Sequence, residues 1–69
     1  MTDARRFDKL RATYRNRWDA YQIIADHNAR LAKSGTQPTN EQLINEQRAA
    51  EAVKLARDDL LAALARADT

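Results

Sequence analysis

Apolar side chains recur at helical spacing in two long stretches, and one compact breaker, Ser34-Gly35-Thr36-Gln37-Pro38, separates them. In the first stretch Phe7, Leu10, Tyr14, Trp18, Tyr21, Ile24 and Leu31 follow one another mostly at steps of three and four. Ala25 and Ala32 lie alongside, so the set shares one helix face. In the second, Leu43, Ala49, Ala50, Val53, Ala56, Leu60, Leu64 and Ala67 do the same. Neither stretch alternates β-branched with polar residues as a strand would. The pattern predicts an all-α chain: one domain over residues 1–69, with a helix over about 3–33, a loop over 34–38 and a helix over about 39–67.

The turn chemistry agrees. Thr2 or Asp3 suits the first cap, since either side chain can accept from the free amides of the first turn. Gly35 falls where a left-handed residue usually ends a helix. Pro38 imposes an extended approach, and Thr39-Asn40-Glu41-Gln42 has the form of a capping box. Glu41 also suits the positive end of the helix dipole.

A linker this short makes the helices antiparallel neighbours. Pairing outward from the loop sets Leu31 near Leu43, Ile24 near Ala50 and Tyr21 near Val53, then Tyr14 near Leu60, Leu10 near Leu64 and Phe7 near Ala67. Bulky residues of the first helix, Trp18 among them, are expected to seat on alanines of the second. Polar residues interrupt both stripes at Arg17, Asn28, Glu46 and Arg57. Asn28 is expected to meet Glu46 or Gln47 and fix the register. Arg17 and Arg57 fall at one level, and both are expected to reach water.

Length changes the picture. At 69 residues the chain is near the size where a single core is marginal, and two helices cannot cover each other. Ile23, Ile44, Leu55 and Leu61, with Ala62, lie off the main stripes. The expectation is therefore an antiparallel two-helix hairpin that dimerises into a four-helix bundle, with Ile23, Ile44, Leu55 and Leu61 as the self-association surface. Docking on an unidentified protein partner would cover the same faces.

Charge changes it less. The formal net charge is only +2, yet within residues 5–17 Arg5, Arg6, Lys9, Arg11, Arg15 and Arg17 stand against Asp8 alone. Asp58, Asp59 and Asp68 are expected opposite Arg15 and the Arg5–Arg6 pair, offsetting part of this excess. Arg5, Arg6, Lys9, Arg11 and Arg15 are the candidate contacts for nucleic acid or another partner, but their helical angles scatter them. In layout and size, such a hairpin, once dimerised, resembles the Rop family of plasmid RNA-binding proteins, a likeness of architecture without a shared motif.

Candidate chemistry is thin. Cysteine is absent, His27 is the sole histidine without a ligand at helical spacing, and Ser34 sits in a capping loop. No Glu-x-x-His pair or glycine-rich phosphate loop occurs. No apolar run is long enough for a membrane span, and acidic residues dilute the basic face of the first helix. The reading is a cytoplasmic, non-enzymatic interaction module without cofactor, metal or membrane, and a homodimer. The alternative is a nucleic-acid-binding regulator using the basic half of the first helix.

Overall fold

A computed structural model describes residues 2–67, with side chains from 5 to 66. Helix α1 spans Thr2–Lys33 and α2 spans Asn40–Ala67; together they form a rod 51 Å long and 15 by 14 Å across. The cap expected at Thr2 or Asp3 falls on side chains outside the described ones.

The turn is built as its residue types require. Gly35 takes φ 87°, the left-handed conformation that closes a helix. Its N–H donates to Ala32 O at 3.2 Å and the Thr36 N–H to Leu31 O at 2.9 Å, the double bond of a Schellman cap. The capping box follows: Gln42 N–H donates to Thr39 Oγ1 at 3.2 Å, and Thr39 N–H donates to Gln42 Oε1 at 2.8 Å. Two orphan amides of α2 are thereby satisfied within four residues.

The helices run antiparallel, with a polar node as the clearest marker of register. Asn28 Nδ2 donates to Gln42 O at 3.2 Å and to Glu46 Oε1 at 3.1 Å. Facing levels therefore carry residue numbers that add up to about 72. That places Tyr21 between Ala49 and Val53, Tyr14 between Ala56 and Leu60, and Leu10 beside Ala63.

Burial gives the seam itself. On α1 the least exposed positions are Phe7, Leu10, Tyr14, Tyr21, Ile24, Ala25, Asn28 and Leu31. On α2 they are Gln42, Glu46, Ala49, Ala52, Val53, Ala56, Leu60 and Ala63. Apart from Ala25 and Ala52, which border the seam, these repeat every seven residues. Phe7, Tyr14, Tyr21 and Asn28 make one row and Ala49, Ala56 and Ala63 another. A strict seven-residue repeat keeps facing its partner when two rods wind gently around each other.

This corrects the expected stripes. Leu43, Ala50 and Leu64 do not line the seam but are exposed beside it. Gln42, Glu46 and Ala63 take the inner places. The expected face of α2 mixed two adjacent seven-residue rows, because leucine was preferred to its smaller neighbour. The seam uses the small residue, which lets the backbones approach. Trp18 likewise is not seated in the core: it is 43% exposed, with its ring centroid 5.7 Å from that of Tyr21. The seven-residue row on α1 runs through Arg17 instead, and Arg17 itself is exposed.

Candidate interaction surface

Little lies inside this hairpin. Among the described residues Ala56 and Ala63 are the buried apolar ones and Asn28 the buried polar one, at 4% exposure, and no large side chain is fully enclosed. Trp18, Ile23, Leu43, Ile44, Leu55, Leu61 and Leu64 all stand out in solvent among the described residues. The chain exposes 5892 Å². A compact monomer of 7.9 kDa is expected to expose about 4400 Å². The surplus is roughly a third, and exposed aliphatic side chains contribute to it.

Asn28 is more than a register mark. Its Oδ1 is buried and has no hydrogen-bond partner, an arrangement that leaves a desolvated acceptor uncompensated. Beside it, Ile23, Ile24, His27, Asn28, Gln42 and Asn45 line a shallow groove near the loop. At the opposite end Arg6, Leu10, Asp59, Ala62, Ala63 and Arg66 line a second groove. The residues of the two grooves fall on the same seven-residue rows, so both open on one side of the seam. This side, the Leu55 flank, also carries Ala20, Ile23, Ala52 and Leu55. Its middle carries Asn16, Ala20 and Ile23 on α1 and Ala52 and Leu55 on α2, with the exposed Arg17 on the adjoining seam row. Arg48 and Asp59 border that stretch, and neither has an ion pair among the described residues.

The other side of the seam, the Trp18 flank, differs in kind. Arg11, Tyr14, Arg15 and Trp18 line one groove there, and Lys54 and Arg57 of α2 fall at the level of Trp18 by the register of the hairpin. Asp8 is the acid on this flank, next to Arg11 and Arg15. Leu43, Leu61 and Leu64 lie on the same side toward the two ends.

The sequence-derived candidates thus divide. Arg5, Arg6, Lys9, Arg11 and Arg15 are all exposed, but only Arg11 and Arg15 share a groove. Arg6 opens onto the Leu55 flank, and Arg5 lies on the back of α1. Of the four self-association residues, Ile23 and Leu55 share the Leu55 flank, Leu61 is on the Trp18 flank, and Ile44 is on the back of α2. Asp58 and Asp59 form no ion pair with the α1 arginines; Asp68 lies outside the described residues. Arg30 instead pairs with Asp26 at 3.1 Å within α1. Lys54 and Arg57 as companions of Trp18, and Arg48 and Asp59 as flank charges, were missed. The signal was the seven-residue period, which assigns a side to every residue.

Among the described residues no cluster of three potential ligands could hold a metal ion, and no helix is long and apolar enough to cross a membrane. No protein-family model, curated protein or solved structure matches this chain.

Proposed function

We propose that this chain is a small non-enzymatic interaction module that works by self-association, two hairpins stacking into a four-helix bundle. The observation that carries the reading is the surface left over: 5892 Å² exposed, with a core that encloses nothing larger than alanine apart from Asn28. One flank of the rod offers a face of about 51 by 15 Å, roughly 770 Å². A standard interface takes ~800 Å² from each partner. Stacking one flank of each copy therefore supplies the missing layer, and it buries exposed aliphatic residues while leaving the polar backs of the helices in water. With no cysteine to oxidise, the cytoplasm is a suitable setting. The test is thermal unfolding followed by circular dichroism over a hundredfold range of concentration. The midpoint should rise by several degrees as concentration rises. A midpoint independent of concentration removes self-association from the account.

A second reading has its own observation, the groove of Arg11, Tyr14, Arg15 and Trp18. An exposed ring between cations is the arrangement that stacks a nucleic-acid base and holds its phosphates. Trp18 is the single tryptophan, so its fluorescence reports on this groove directly. Under this reading a single-stranded oligonucleotide quenches Trp18 at low ionic strength, and added salt reverses the effect. An emission unchanged by the oligonucleotide eliminates it.

A further inference from the structure

Self-association as proposed above leaves open which flank meets which, and the order of residues on α2 supplies an answer. Along the Leu55 flank, Glu41, Arg48, Ala52, Leu55, Asp59 and Arg66 belong to one pair of seven-residue rows. The midpoint of α2 lies between Val53 and Lys54. Arg48 and Asp59 stand at equal distances on either side of it, and so do Ala52 and Leu55, and Glu41 and Arg66. Each of these three pairs is complementary: a base with an acid, a small residue with a large one, an acid with a base. A row with that symmetry matches its own reverse.

We infer that a second copy of this chain docks on the Leu55 flank, α2 against α2 in antiparallel sense, about a two-fold axis crossing between Val53 and Lys54. The axis sets Arg48 of each copy over Asp59 of the other and fits each Leu55 over the other's Ala52, an isologous interface. The alternation of three- and four-residue steps along this row is the spacing that two helices need to interlock. The inference rests on the self-association reading and adds the face and the direction.

Charge on α2 also favours this flank over the other. A two-fold at the same level of the Trp18 flank brings Arg15, Lys54 and Arg57 of both copies together with no acid among them, and like charges facing each other oppose docking. On the Leu55 flank the neighbouring row of α1 contributes Ile23 near the centre. The α1 cations on this side, Arg6, Lys9, Arg17 and Arg30, gain no acid from the two-fold, although Arg30 already shares its charge with Asp26 at 3.1 Å. The favourable selection therefore lies with α2.

Arg48 and Asp59 are exposed and have no ion pair among the described residues, so changing them leaves the fold of the hairpin alone. The experiment measures the dimer dissociation constant of Arg48→Asp, Asp59→Arg, the double variant carrying both, and an equimolar mixture of the two single variants. Each single variant sets like charge against like at both sites and should dimerise about tenfold or more weakly than the natural chain. The double variant restores two opposite pairs and should recover homodimers. The mixture should form heterodimers, because one copy then presents two acids and the other two bases. Helix content by circular dichroism should be equal in all four once each is concentrated enough to dimerise. If the natural chain dimerises and the single variants do so equally well, the Leu55 flank is not the interface, although self-association stands. If the single variants lose dimerisation and neither the double variant nor the mixture recovers it, the antiparallel pairing is wrong. A natural chain that stays monomeric sinks the underlying reading itself.

Discussion

Asn28 directs both of its amide hydrogens across the seam, to Gln42 O and to Glu46 Oε1, and so ties α1 to one register of α2. Both partners are acceptors, which makes the position intolerant of an acid. Asn28→Asp removes the donors and sets a carboxylate against Glu46; it should lower stability by about 2–4 kcal/mol near neutral pH, read from denaturant unfolding. A change below half a kcal/mol would mean that the node does not hold the register. Trp18 gives a contrasting case. As a core ring its removal would cost ~3–5 kcal/mol, but at 43% exposure the expected loss for Trp18→Ala is about 1–2 kcal/mol. A larger loss in the assembled protein would mean that a partner covers the ring. Asn28 and Glu46 could be paired from sequence, because a polar residue at a helical step inside an apolar stripe needs a partner at its own level. Trp18 could not be placed in that way: its size suggested burial, whereas the winding of the helices sends Arg17 toward the seam.

For each element, the ends were legible and the faces less so. Helix ends depend on local chemistry, and Gly35, Thr39 and Gln42 each have one conformational role that the structure shows them filling. Thr39→Ala should destabilise by ~1 kcal/mol through loss of the cap. Gly35→Ala should cost a similar ~1 kcal/mol from its positive φ alone, since a Cβ there meets no atom within 4 Å. Both are read as shifts in the urea midpoint, and a neutral result at Thr39 would show that water caps α2 equally well. Faces depend on a period that differs little between 3.6 and 3.5 residues, so the error over one helix is a single row. Leu43 and Leu64 were assigned inward for their bulk, yet the seam takes Gln42 and Ala63. Alanine at positions 49, 56 and 63 is the regularity that distinguishes the two rows.

The whole molecule is a rod too thin to have an interior. Its 51 Å length against a 15 by 14 Å section leaves every residue within one side chain of solvent, and more than the expected surface stays wet. The proposal of a second layer draws on length and on the leftover aliphatic residues, both legible in the sequence. Which residues share a flank was not, because Ile23, Ile44, Leu55 and Leu61 look equivalent until the seam fixes the rotation of each helix. The same rotation separates a flank of mixed charge around Leu55 from a cationic one bearing Trp18, so one hairpin presents two chemically distinct sides.

Sedimentation equilibrium at micromolar concentration tests the central claim most directly. The account predicts a mass of 15.8 kDa, twice the 7.9 kDa of the chain, or a larger multiple, with dissociation on dilution accompanied by loss of helix. A sharp 7.9 kDa species that keeps its helix content and melts cooperatively would contradict it.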